Sequence, residues 1–166
     1  RVIAYDPFQD AAAFVDAGAE RVELDELLAA SDVVSLHMTV TAGTRGMLDA
    51  GRLDRMKRGA LFVNTARAAL VDQPALIDAL RDGRLGGAAL DVMEPEPLPD
   101  DSPLLEIERL IVTPHHAGTT ARTRARTLRQ AAANLVREVG GELPEVGLCN
   151  PAVRERFGSR CASARP

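Results

Sequence analysis

The feature that most constrains this chain is a repeated pairing of an apolar run with a segment of helical periodicity. VIAYD (2–6), DVVSLH (32–37), ALFVNT (60–65), GGAALDV (86–92) and RLIVT (109–113) are largely apolar without strict alternation. A strand with apolar residues on both faces is buried on both, which is the pattern of a parallel sheet covered by helices on each side. Arg21 to Glu23 reads as a further short strand. The intervening helical stretches are PFQDAAAFVDAGAE with a stop at Gly18, LDELLAA (24–30), a segment around Asp49 to Met56, and QPALIDALRDG. In the last of these Asp72 is placed to cap, Pro74 lies in the first turn, Leu76, Ile77 and Leu80 share a face, and Gly83 ends the helix. Ala121, Ala125, Leu128, Ala132, Leu135, Val136 and Val139 then recur at helical spacing in a long closing helix. The order predicts an α/β fold with a doubly wound, Rossmann-like parallel sheet.

The inventory narrows the chemistry. The 166 residues suffice for one ordinary domain core, and a net charge of -4 argues against wholesale nucleic-acid binding. Arg122, Arg124, Arg126 and Arg129 spread around their helix and read as solvated or interface charge. No run is long enough to span a bilayer, and no segment reads as a signal peptide. Cys149 and Cys161 are read as free thiols, which goes with a cytoplasmic location. They lie far in sequence from the histidines, adjacent His115 and His116 do not easily face one ion, and no metal site is expected. A hydrolase elbow of the form G-x-S-x-G is absent. The chain opens directly on RVIAYDP, within a strand pattern, and is expected to be a piece of a longer protein.

In parallel sheets ligands bind beyond the carboxyl ends of the strands, so the residues there carry the functional reading. Asp6 is either an acceptor for ribose hydroxyls or a turn-former before Pro7. The fingerprint G-x-G-x-x-G that should precede such an acid is missing, and GRLGGAAL (83–90) leads into a strand instead of following one. Arg67 is either a carboxylate clamp or a solvated arginine. Asp91, on an apolar run, needs donors, supplied by an amide such as nicotinamide's or by backbone. Glu94 and Glu96 both sit among prolines in DVMEPEPLP, and spacing does not choose between them. His115 beside a carboxylate could transfer a proton near neutral pH, while His37 and His116 also admit structural readings.

Taken together, five ordered blocks resemble the D-isomer-specific 2-hydroxyacid dehydrogenases, including phosphoglycerate dehydrogenase. The blocks are YD at 5–6, SLHMTVTAGTRGML at 35–48, MKRGALFVNTARAALVD at 56–72, GGAALDVMEPEPLPDDSPLL at 86–105 and IVTPHHAGTT at 111–120. The resemblance implies Arg67 as the substrate-binding arginine, Glu96 as the catalytic glutamate and His115 as the acid/base histidine, with no role for His116. It implies NAD as cofactor, preferred over NADP through Asp6, and a binding set of Asp6, His37, Thr44, Thr65, Ala66, Arg67, Asp91, His115, Ala117 and Gly118. The implied substrate is a small 2-oxo or 2-hydroxy acid, and full-length members suggest a homodimer. A non-catalytic NAD-sensing or scaffold protein on the same fold is the alternative.

Departures from the family pattern carry expectations of their own. Residues 1–140 are read as a partial dinucleotide-binding domain and 141–166 as a segment returning toward a substrate domain, followed by a frayed tail. The family's first strand and glycine-rich turn have no counterpart here, and that strand normally lies between those at 2–5 and 32–37. The expectation is a chain that alone is poorly stable and inactive, each unpaired backbone group costing roughly 1–3 kcal/mol. Ala68 stands where Gly is usual after the arginine, and matters if that position needs positive φ. Thr39 stands where Pro is frequent.

Overall fold

The structure, a computed structural model, describes residues 1–144, 147, 150 and 152–154. Cys149, Cys161 and the tail beyond residue 154 lie outside the described residues, as does part of the expected return segment. The chain forms two compact units, Arg1–Ala117 and Gly118–Pro166.

In the first unit a short parallel pair, β1 (Ile3–Ala4) and β2 (Glu20–Arg21), flanks helix α1 (Ala11–Asp16). Asp10 caps α1 by accepting from the Ala13 amide, and Gly18, at φ 66, lets the chain reverse into β2. Helix α2 (Leu24–Ala30) leads to β3 (Val33–Leu36), and α3 (Ala50–Arg55) to β4 (Leu61–Asn64). Helix α4 (Gln73–Arg81) leads to β5 (Gly87–Leu90), which is followed by β6 (Leu110–Val112). The four strands pair in parallel in the order β3-β4-β5-β6. Asp72 accepts from the Ala75 amide, Pro74 sits in the first turn of α4, and Gly83 follows its end at φ 65, as the spacing predicts.

Strand register explains where the core sits. Val34, Phe62, Ala88 and Leu110 lie side by side, and Leu36, Asn64, Leu90 and Val112 form the next row on the same face. That face packs with Leu28 of α2, Leu53 of α3 and Leu76, Ile77 and Leu80 of α4 in one cluster. On the opposite face Val33, Leu61 and Ile111 are exposed. The expected cover on both faces of this sheet is therefore met on one.

Among the described residues no strand joins β1 to β3, and the two sheets stay separate. The gap that the absent strand would fill remains open.

One pairing directly follows the Thr- and Gly-rich stretch TVTAGTRG (39–46). Gly46 donates to Ala69 O, Leu48 to Leu70 O, and Asp72 to Leu48 O, so residues 46–48 run parallel to 69–72. Ala68 opens a 3-10 turn, Ala68–Leu70, without positive φ, so its departure from Gly strains nothing. Gly86 is there for space: a Cβ on it would stand 2.3 Å from the Gly59 carbonyl oxygen. In the second unit α5 (Ala121–Val139) is capped by Thr120, which accepts from the Thr123 amide, and Leu128, Leu135, Val136 and Val139 are exposed.

Candidate active site at the strand ends

Residues just beyond β3, β4, β5 and β6 line one open cavity of about 780 Å³. Leu36, Met38, Val40, Val92 and Met93 give it apolar wall; His37, Arg67, Glu96 and His115 supply polar groups. Thr65, Ala66, Arg45 and Glu94 also face it.

His115 is where the chain is most constrained. Its φ is 56, and among the described residues it is the one non-glycine at positive φ. Such a conformation costs on the order of 1–3 kcal/mol and needs surrounding structure to impose it. The imposing group is Asp91 at the end of β5, buried at 4% exposure. Its Oδ1 accepts from the His116 amide (2.7 Å) and the Thr113 hydroxyl, and its Oδ2 from the Ala117 amide (2.9 Å). A residue in the left-handed region turns the following amides to one side, and the carboxylate fills the concavity they make. Burial acts to raise the Asp91 pKa. The Thr113 hydroxyl, the Ala117 and His116 amides and the nearby His115 outweigh it, and the net shift is downward.

The imidazole Nδ1 of His115 lies 3.1 Å from Glu96 Oε2. The other carboxylate oxygen, Oε1, accepts from the Met93 amide at 3.0 Å. The His115 hydrogen bond, with that from Met93, holds the Glu96 carboxyl below the usual glutamate range despite partial burial. Glu96 is thus ionised at neutral pH and fixes one ring nitrogen, leaving Nε2 outside that contact. Of the two glutamates that spacing leaves open, Glu96 meets His115, while Glu94 lies on the cavity wall with its backbone bonded to Gln73.

Arg67 follows β4 in extended backbone. One guanidinium N–H donates to Ala66 O, and most of its donors stay available to a carboxylate in the cavity. The loop beneath it is fixed by Asn64, 1% exposed, which accepts from Ala66 N (3.0 Å) and donates to Arg67 O (2.9 Å). From sequence this asparagine is no more than the end of a strand. The available signal is a polar amide closing an otherwise apolar run.

Other residues of the implied cofactor set are placed as follows. His37 faces the cavity and pairs with the Ser35 hydroxyl at 2.9 Å. The Thr44 hydroxyl is engaged inside its own loop by Thr39 O and the Thr41 amide, and does not line the cavity. Asp6 does not line it either: Oδ1 accepts from the Phe8 amide at 2.9 Å, the turn-former's bond, and Oδ2 remains available. Ala117 belongs to the turn held by Asp91, and Gly118 opens the second unit. Among the described residues no three His, Cys, Asp or Glu side chains converge to hold a metal ion.

A cavity with apolar wall and polar side chains, at the carboxyl ends of parallel strands, lies where such folds bind their ligands. Fold and site define a dinucleotide-binding α/β domain. The chain matches the family model for the D-isomer specific 2-hydroxyacid dehydrogenase, NAD binding domain, over residues 1–117. It belongs to that family, and its cofactor is NAD(H). It is 43% identical over 144 residues to a glyoxylate reductase of Korarchaeum cryptofilum, covering 87% of this chain and 43% of that protein. It is 42% identical to a D-3-phosphoglycerate dehydrogenase of Archaeoglobus fulgidus, covering 72% of this chain and 23% of the relative. The crystal structure of a D-lactate dehydrogenase of Treponema pallidum superposes with a TM-score of 0.79 at 34% identity, covering 87% of this chain and 47% of that one. The chain therefore spans less than half the length of these relatives.

Proposed function

We propose that this chain is the cofactor-binding and acid/base portion of an NAD-dependent oxidoreductase. Its reaction interconverts a 2-oxo acid and a D-2-hydroxy acid. The observation that carries the reading is the meeting of Arg67, Glu96 and His115 around one cavity, with imidazole and carboxylate 3.1 Å apart. When bound, the nicotinamide supplies or accepts the hydride. Arg67 binds the substrate carboxylate and orients the carbonyl, so that one face is attacked. His115 Nε2 gives a proton to the carbonyl oxygen in reduction and takes it back in oxidation. Glu96 holds Nδ1 and stabilises the imidazolium, the role an acid plays behind a catalytic histidine. Asp6 Oδ2 is the acceptor for a ribose hydroxyl, and Asp91, with acceptor capacity left on Oδ2, is the partner for the nicotinamide amide. His37, Thr65 and Ala66 complete the cofactor's surroundings along the cavity.

The reading goes further: this is the C-terminal portion of a longer, cytoplasmic, homodimeric enzyme, and of these parts the lengths of the relatives support the greater length. Residues 1–140 would belong to the cofactor domain and 141–166 would return toward the substrate domain. The retained Arg67, Glu96 and His115 set supports an enzyme over a sensor. The test is NADH oxidation by the full-length protein with a panel of 2-oxo acids. Turnover of at least one acid, giving the D-hydroxy product, is expected; NADH binding with no acid reduced would sink the reading.

A further inference from the structure

We propose that Gln73 is a positioning residue for the Glu96–His115 pair, acting through the backbone of Glu94. The proposal rests on the acid/base roles given above. Gln73 is the first residue of α4, and the cap of that helix is already made by Asp72. Its carboxamide is free to turn to residues 93–97, and it does so twice. Gln73 Oε1 accepts from the Glu94 amide at 3.0 Å, and Nε2 donates to the Glu94 carbonyl at 2.7 Å. One side chain thus gives Glu94 both bonds that a neighbouring strand would give it.

The loop needs such an anchor. Glu94 to Pro97 are exposed and in no regular secondary structure, and Pro95 and Pro97 offer no amide donors. The Met93 amide is bonded within the loop itself, to Glu96 Oε1. Gln73, by contrast, is continuous with Leu76, Ile77 and Leu80, which are buried in the core. It ties an exposed loop to a packed helix two residues before the carboxylate that must hold His115 Nδ1. A glutamine fits because it has a donor and an acceptor on one planar group; glutamate keeps the acceptor alone, and alanine keeps neither.

The experiment is a double-mutant cycle in the full-length enzyme, read as kcat, with NADH affinity measured alongside. Gln73→Ala is expected to lower kcat about tenfold, the order of two net hydrogen bonds, with NADH affinity unchanged. Gln73→Glu should recover part of that loss. In a Glu96→Ala background, Gln73→Ala should cost less than about twofold, because the group it positions is gone. An equal fold-loss in both backgrounds would show a general structural effect and overturn the proposal, as would an unchanged kcat in the Gln73→Ala enzyme. If Glu96→Ala itself left kcat at the wild-type value, the acid/base reading would fall and take this proposal with it. A loss for Glu96→Ala without one for Gln73→Ala would remove this proposal alone.

Discussion

At Asp91 three donors converge on a carboxylate that burial alone would push toward its neutral form. Because the folded pKa is lowered, the ionised group adds stability above the unfolded aspartate range. That contribution is lost as pH falls through the folded value. Asp91→Asn replaces one acceptor oxygen with a donor facing an amide or a hydroxyl. We expect it to cost about 1–3 kcal/mol near neutral pH, the penalty of a buried unsatisfied group. The cost should shrink as pH falls through the lowered folded value, where the wild-type carboxylate loses its own charge. Urea unfolding of both proteins across that range checks it; a pH-independent difference would mean that charge plays no part. This residue shows what sequence can and cannot supply. An acid closing GGAALD signals that donors must exist, but the donors lie 22 to 26 residues on and depend on the left-handed turn at His115. Nothing in PHHAG announces positive φ at a histidine, and nothing in VNTAR says that Asn64 bonds both sides of the Arg67 loop.

The elements themselves are legible where local chemistry decides them. Asp72, Pro74 and Gly83 mark both ends of α4, and Gly18 marks the reversal after α1, because caps and left-handed turns draw on a few residue types. The pairing of 46–48 with 69–72 is not legible, since the first segment is only three residues long, follows a stretch rich in Thr and Gly, and has a partner distant in sequence. The glycines of GRLGGAAL are excluded as a phosphate loop by their place before a strand, but their purpose needs coordinates. Gly86 passes so close to Gly59 that Gly86→Ala must move backbone, and we expect a loss of about 1–3 kcal/mol. Gly51, inside α3, makes the opposite case: the nearest atom to an added methyl would be an Asp49 oxygen at 3.5 Å. Gly51→Ala should gain about 0.5–1 kcal/mol from helix propensity. Thermal melts of the two variants should move in opposite directions, and melts moving together would refute the packing assigned to Gly86.

For the whole molecule, two separate sheets and a sheet face left exposed at Val33, Leu61 and Ile111 describe a unit with unmet pairing and burial. Together with relatives of which the matched part is less than half, this leads us to expect no measurable turnover from residues 1–166 alone. NADH oxidation assayed side by side for this chain and the full-length enzyme checks it, and comparable turnover would show that these residues suffice. Fold and family are legible at this scale because five blocks recur in fixed order; the openness of the β1–β3 gap is not, since neighbouring strands could have closed it. The proposed proton transfer by His115 is the step on which the proposed function depends, and His115→Ala in the full-length protein probes it without intermediaries, read as kcat and as NADH affinity. We expect a loss of kcat on the order of 100-fold to 10,000-fold with NADH affinity unchanged. Weakened NADH binding with kcat preserved would contradict the acid/base assignment.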